Sequence, residues 1–259
     1  MNAKSDPKKE KEGNRSLHYA LDILEFLSAS APTNISDLSR KLDMNRATMY
    51  SLIKVLEARG YVLRDTKGAY YLSGKMLELG SSFYYSRFPL AQMLGDYTKF
   101  LIEKHKCCNV SMATVGGPHH ATMIRVIPGI DKPDVLIPPG MSVPMHASAS
   151  GKVLLTYLPI EKQNYYFQTA KLSRFTEYTI CDMNTLHAEI KQIKSRGFAV
   201  EREEYFMGNW CAAFPLIEAA TGVCKASLSV SAPADYFQMH EQTIIEGLRH
   251  LVSVVGRFF

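Results

Sequence analysis

The sequence predicts an α+β protein in two parts: an N-terminal winged helix-turn-helix, then a mainly antiparallel sheet with helices packed on it. Three observations predict this. Residues 35–72 read as a short helix, a tight turn, a second helix and a two-stranded hairpin with Lys67-Gly68 at its tip. Beyond residue 107 the pattern changes to short β runs interleaved with amphipathic helices. Charge is also uneven: residues 1–75 hold 13 Lys+Arg against 9 Asp+Glu, while the remainder holds 17 against 16.

Residues 1–13 (MNAKSDPKKEKEG) are polar, charged and aperiodic, the composition of a disordered tail. From Arg15 the pattern is helical. Leu17, Leu21, Leu24 and Leu27 recur at three- and four-residue spacing, Ile23 and Phe26 widen the face, and Pro32 ends the run. Ser36 is expected to cap the next helix, which buries Leu38 and Leu42. Asp43-Met44 turns the chain and Asn45 caps the second helix of the pair. That helix points Met49, Leu52, Ile53 and Leu56 inward and stops at Gly60, where glycine takes a left-handed backbone at little cost. Residues 61–64 and 69–72 are short strands joined by the Asp65-Thr66-Lys67-Gly68 turn. These elements bound a first domain at 14–74.

Residues 75–92 read as a linker helix, interrupted near Pro89. The stripe Leu90, Met93, Leu94, Tyr97 and Leu101 carries the helical pattern on to about Lys106. An amphipathic connector of this kind serves equally as a dimer face. Residues 93–259 form the second domain. Strands at 108–115 and 121–127 flank the Gly116-Gly117-Pro118 turn, and Pro138-Pro139-Gly140 is a loop. A helix over 147–158 is closed by Pro159. Asp182 caps another through Leu186, Ile190 and Ile193, ending at Gly197. Strands at 198–205, 210–217 and 223–231 follow, with Thr221-Gly222 between the last two. An amphipathic helix through Ile244, Leu248, Leu251 and Val255 closes the chain.

With 46% hydrophobic and 21% charged residues, the chain has globular composition. Its five cysteines form no CxxC pair and no Cys/His ligand spacing, which argues against structural zinc. No apolar run approaches 18 residues. The expectation is a cytoplasmic protein with reduced thiols, no membrane association, and no cofactor or metal.

The outer side of the second helix of the pair offers Asn45, Arg46, Ala47, Thr48, Tyr50 and Ser51, with Lys54 one turn on. Arg46 can meet guanine O6 and N7 in a fork, Ala47 and Thr48 suit thymine methyls, and Tyr50 and Lys54 can reach phosphates. Lys67 at the hairpin tip can enter a minor groove or pair with a phosphate. The bland reading is an ordinary solvated helix face, or a helix-turn-helix used only for assembly.

The stretches SLHYALDILEFL (16–27) and ISDLSRKLDMNRATMYSLIKVLEARGYVLRD (35–65) resemble the N-terminal domain of IclR-family transcriptional regulators. PMHASASGKVLL (144–155), RGFAVEREEYFMGNWCAAFP (196–215) and KASLSVSAP (225–233) resemble the same family's effector-binding domain, in the same order. The resemblance spans roughly residues 14 to 258. It implies double-stranded operator DNA as one partner and a homodimer or homotetramer as the assembly. It also implies a GAF-like C-terminal sheet holding a small organic effector, aromatic or carboxylate in character, and control of a catabolic operon. The implied effector-binding positions are Ala149, Ser150, Glu201, Cys211, Ser229 and Ser231. Two of them alternate on one strand, so the Ser229 and Ser231 hydroxyls share a face; amides near Ala149-Ser150 at a helix start would favour an anion. An ordinary half-buried strand with polar alternation is the competing reading of the serines.

This chain departs from the family in three places. Tyr19 and Ser51 stand where a basic residue is common, and Ser51 lacks a phosphate contact that would add affinity. Glu201 stands where Asp is frequent. Being longer, it would crowd a small ligand, and when ionised it would repel a carboxylate unless a proton or hydroxyl intervened. The reading points away from a simple two- or three-carbon acid.

Enzymatic readings are weaker. His146, Ser148, Ser150 and Glu201 could be recruited into a triad, but no GxSxG elbow is present. Ser150-Gly151-Lys152-Val153 fails as the end of a phosphate loop, because position 146 is His and position 153 is Val. His119-His120 is expected to be an exposed pair, and Cys211 beside Trp210 a buried strand cysteine.

Overall fold

The structure is a computed structural model that describes residues 14–87, 91, 94–131 and 135–258. The expected tail at 1–13 lies outside the described residues, as do Leu90 and Met93 of the expected stripe. The chain divides into two units, residues 1–87 and 88–259.

In the first unit, α1 (Arg15–Ala29), α2 (Ile35–Lys41) and α3 (Arg46–Ala58) enclose a core of Ile23, Leu27, Leu38, Met44, Met49, Ile53, Leu56, Val62 and Tyr70. Antiparallel β1 (Val62–Arg64) and β2 (Tyr70–Leu72) form the wing, with Val62 opposite Leu72. An isolated bridge from Thr33 to Tyr70 ties the wing to the loop before α2. Gly60 takes φ +76°, and its amide and that of Tyr61 return to the carbonyls of Glu57 and Leu56. This closes α3 as a left-handed stop should.

Two expectations fail here. Asn34, not Ser36, caps α2: its side chain accepts the Asp37 amide, and Ser36 falls inside the first turn. Asn34 offers an acceptor from an extended backbone, which a residue already in helical geometry does not. The buried stripe of α1 also runs through Ile23 and Leu27, with Leu17 and Leu21 more than 45% exposed. Leu24 and Phe26 pack on the same core, against α3 and the wing, so the expected face is buried only in its C-terminal half. Next comes α4 (Lys75–Arg87).

The second unit begins with α5 (Leu94–Lys104) and builds one six-stranded antiparallel sheet in the order β5-β4-β3-β8-β7-β6. Its strands are β3 (Asn109–Val115), β4 (His120–Ile127), β5 (Ser142–Pro144), β6 (Ala199–Arg202), β7 (Asn209–Ile217) and β8 (Cys224–Pro233). The helices are α6 (Ala149–Tyr157), α7 (Ile160–Thr169), α8 (Met183–Arg196) and α9 (Ala234–Val255). Successive strand residues face opposite ways, so each side of the sheet meets a different layer. Ser229 reaches Ser150 on α6, whereas Phe214 lies under Arg249 of α9. Ala149, Val153, Ile193, Ala199 and Ala213 pack together on the α6 side. No helix among the described residues is long and apolar enough to cross a membrane.

Three features of this unit differ from expectation. Pro159 does not simply close a helix; it opens α7, a helix that the sequence reading missed. Proline suits a helix start because its missing N–H would be unpaired there. Strand β5 was unmarked, and the strand expected over 198–205 stops at Arg202. There the chain leaves the sheet, because Glu203 adopts φ +59° and the Glu201 carboxylate captures the amides of Glu204 and Tyr205.

Candidate functional site

On the first unit, Asn45 caps α3 by accepting the Thr48 amide at 2.8 Å, which fixes the start of the helix. Asn45, Arg46, Ala47, Tyr50, Ser51 and Lys54 are exposed. Arg46, Ala47 and Tyr50 share a groove with Lys67 and Gly68 of the wing, and with Asn34, Ile35, Arg64 and Tyr70. Gly68 holds φ +85° at the turn, and Lys67 is exposed beside it. Thr48 does not join this surface: it is half-buried and turns to a second depression shared with Arg15, Ser16, Tyr19 and Asp43. Thr48 and Arg46 are two residues apart, about half a helical turn, so Thr48 is only partly exposed and faces the depression it shares with Asn45 rather than the groove of Arg46.

Arg46 donates from Nη2 to the Ser36 hydroxyl at 2.8 Å, which holds the guanidinium over the groove. Lys54 leans over the Tyr50 ring, 5.6 Å from its centroid, and approaches Glu57 at 3.4 Å. Arg64 was not singled out from the sequence; its only signal was a cation adjoining the hairpin turn.

On the second unit a cavity lies between the sheet and the start of α6. Ala149, Ser150, Glu201, Cys211, Ser229 and Ser231 all line it. Strand register explains how residues so distant in sequence meet. Glu201 pairs with Cys211, Cys211 with Ser231, and Ser231 with Asn109, giving one row across four strands. The next row runs Ala199, Ala213, Ser229, Ser111 and Val126. The two rows project to the same face. Met123, Val126, Leu136, Ile137, Val143 and Phe206 give the cavity apolar walls.

Its polar end is ordered by hydrogen bonds. Ser148 caps α6, accepting the Gly151 amide at 3.1 Å and donating to the Pro144 carbonyl at 2.7 Å. Gly151 allows this close approach: a Cβ there would sit 2.5 Å from the Met145 Cα and 2.6 Å from the Pro144 carbonyl oxygen. The amides of Ala149 and Ser150 have no acceptor among the described residues, as the first turn of a helix dictates. Ser150 donates to Ser229 at 3.1 Å, and Ser229 to the Ser111 carbonyl at 3.4 Å.

Glu201 is 3% exposed. Burial pushes its carboxyl up to about 8, against the opposing pull of the Tyr205 amide and of Lys152. Cys211 is half-buried at the cavity wall, and burial raises its thiol well above the usual range, so it is no ready nucleophile. Glu201 turns Oε1 to the 204–205 backbone while its side chain still lines the cavity. Behind this wall Lys152, fully buried, donates from Nζ to Glu204 at 2.6 Å and to the Val200 carbonyl at 3.0 Å. Asn109, Asn209, Tyr205 and Phe206 also line the cavity without having been singled out. His119 is half-buried, bonded to Thr169 and stacked on Tyr165, contrary to the expectation of an exposed pair with His120.

A helix-turn-helix with a wing and a separate sheet with a polar-ended cavity define a DNA-binding regulator architecture. Residues 16–66 match the IclR helix-turn-helix domain, and residues 83–257 match the C-terminal domain of bacterial transcriptional regulator IclR. The chain therefore belongs to the IclR family of bacterial transcriptional regulators. It is 26% identical over 258 residues to the HTH-type transcriptional repressor AllR of Klebsiella pneumoniae, covering 95% of this chain and 91% of that protein. A crystal structure of a transcriptional regulator from Rhodococcus sp. RHA1 is 26% identical, with TM-score 0.72 over 94% of this chain and 97% of that one. An IclR homolog from Microbacterium hydrocarbonoxydans, complexed with 4-hydroxybenzoate, shares the fold at 18% identity and TM-score 0.72, covering 93% of this chain and 98% of the other.

Proposed function

We propose that this regulator grips a palindromic operator as a homodimer or homotetramer and responds to a small organic effector held in the C-terminal cavity. Arg46, Ala47 and Tyr50 read or position the DNA, with Asn45, Ser51 and Lys54 beside them and Lys67 on the wing. The observation that carries the effector half is the convergence of Ala149, Ser150, Glu201, Cys211, Ser229 and Ser231 on one cavity. Kinship to AllR repressors supports repression over activation, and the protein acts in the cytoplasm. Residues 14–74 form the DNA-binding domain, 75–92 the connector and 93–259 the sensor. Effector shifts the balance of two subunit arrangements by its differential affinity for them. The cavity serves binding, not catalysis: the Cys211 thiol is pushed to high pKa, and the Ser150 and Ser229 hydroxyls hydrogen-bond within the sheet and α6.

Gel-shift titration of the full chain against its own promoter region tests this. Sequence-preferring binding that falls steeply with salt and changes on adding pathway metabolites is expected. Salt-insensitive or absent DNA binding would support a sensor module whose helix-turn-helix serves assembly alone.

A further inference from the structure

Among the described residues, the polar end of the cavity holds an acid and no base. No lysine, arginine or histidine is among the described residues that line it. The cation that acts on Glu201, Lys152, is committed elsewhere: its Nζ lies 2.6 Å from Glu204, 3.0 Å from the Val200 carbonyl and 3.8 Å from Glu189. Two features address a ligand directly. The amides of Ala149 and Ser150 lack acceptors at the start of the nine-residue α6 and favour an anion. Glu201 contributes a carboxyl, and the residue is only 3% exposed. Its Oε1 accepts the Glu204 and Tyr205 amides, while Oε2 has no partner among the described residues.

These two features conflict if Glu201 is ionised. An anion at the amides would meet a second negative charge in an apolar cavity, with no cation among the described lining residues to offset it. A neutral carboxyl removes the repulsion and turns Oε2 from an acceptor into a donor. We propose that a monoanionic effector with an apolar body binds this cavity against protonated Glu201, whose Oε2–H donates to it, so that effector and proton are bound together. This rests on the reading of the cavity as the effector site. No covalent bond changes; the proton stays on Glu201, shared through a hydrogen bond with the anion.

The groups facing Glu201 sharpen the expected pH window. From the following loop come Glu204 and Tyr205, from β7 Cys211, and from α6 Lys152, with Glu189 of α8 behind it. Burial holds Tyr205 and Cys211 above their usual ranges, so both stay neutral near pH 8. His146, beyond Lys152, is lowered by burial, which favours its neutral form. Burial raises Glu204 too, but Lys152 pulls it back toward the ionised form. Burial pushes Glu201 itself up to about 8, so its charge changes in that range.

Calorimetry on the full chain tests the proposal with acetate, benzoate and 4-hydroxybenzoate as anionic probes and benzamide as a neutral one, from pH 7 to 9.5. Carboxylate affinity is expected to be level near pH 7 and to fall by about tenfold per pH unit above pH 8. At pH 9, heats in buffers of different ionisation enthalpy should report uptake of a proton. Glu201→Gln, whose amide donates without titrating, should bind the carboxylates with no such slope. A pH-independent affinity in the unmodified chain, or an unchanged slope in Glu201→Gln, overturns proton coupling. Binding of benzamide alone overturns the anionic class and leaves the cavity as a ligand site. No heat and no thermal stabilisation from any probe overturns the cavity reading beneath the proposal.

Discussion

The Ser150 hydroxyl donates to the Ser229 hydroxyl across 3.1 Å, joining the first turn of α6 to the middle of β8. Ser229 passes the chain on to the Ser111 carbonyl of β3 at 3.4 Å. One side-chain relay thus links the helix start to two central strands, on the wall where the cavity lies. Occupancy at that wall bears on the helix and the sheet together.

Removing the middle of the relay tests its weight. Ser229→Ala leaves Ser150 to find another acceptor and costs about 1 kcal/mol of stability. Urea unfolding of the two proteins measures it. The same variant should need more effector to change DNA occupancy in a gel-shift titration; an unaltered titration would remove Ser229 from the site.

The DNA face yields a pair of contrasting outcomes. Arg46→Ala should cost about 1–3 kcal/mol of operator binding and relax preference at one base position, whereas Lys67→Ala should weaken all sequences alike and lower the salt slope by about 1. Competition gel shifts with single-base operator variants separate the two. Arg46 is already anchored at 2.8 Å by Ser36, so its reach toward a base edge is partly set in the free protein. Undiminished discrimination in Arg46→Ala would take this side chain out of the reading surface.

Legibility in the sequence followed how local the cause was. The caps Asn45 and Asp182 and the stops Gly60 and Gly197 act within four residues, so pattern alone located them. How far the α1 stripe is buried depends on what packs against it: Leu24 and Leu27 meet the core, while Leu17 and Leu21 of the same stripe stay exposed. Pro159 is ambiguous for a similar reason, since proline ends one helix and opens another with equal ease. The six cavity positions came from family resemblance. The row from Glu201 through Cys211 and Ser231 to Asn109 exists only once β3 and β8, far apart in sequence, are in register, which explains why Asn109 went unnoticed. The buried partnership of Lys152 with Glu204 was equally invisible, because nothing in SGKV marks its lysine as inward-facing.

Stability should fall as pH rises from about 4.5 to about 8 through Glu201. Its carboxyl ordinarily titrates at 4.5 and is held up to about 8 in the fold. Between these values the native state keeps a proton that the unfolded chain has released, so alkali favours unfolding. The slope is at most about 1.4 kcal/mol per pH unit and vanishes above the native value. Glu204, also raised, adds in the same direction. Urea midpoints at constant ionic strength from pH 5 to 8 should decline less in Glu201→Gln than in the unmodified chain. Parallel declines would show that Glu201 is ionised in the native state.

The ion pair behind the cavity should prove costly to break and cheap to replace as a whole. Lys152 is fully buried, and its ammonium is held by Glu204 at 2.6 Å, Val200 at 3.0 Å and Glu189 at 3.8 Å, with Arg196 supporting Glu189 at 2.8 Å. Lys152→Met leaves the Glu204 carboxyl buried without its partner, a loss of about 3–5 kcal/mol. Glu189 keeps Arg196, so the damage centres on Glu204 and on the loop that carries Tyr205 and Phe206 to the cavity. Adding Glu204→Gln to Lys152→Met removes the stranded charge and should recover part of the loss, giving a coupling energy of about 0.5–3 kcal/mol in a double-mutant cycle. Strictly additive single effects would mean that Lys152 serves the Val200 carbonyl and the packing of α6, with Glu204 incidental to it.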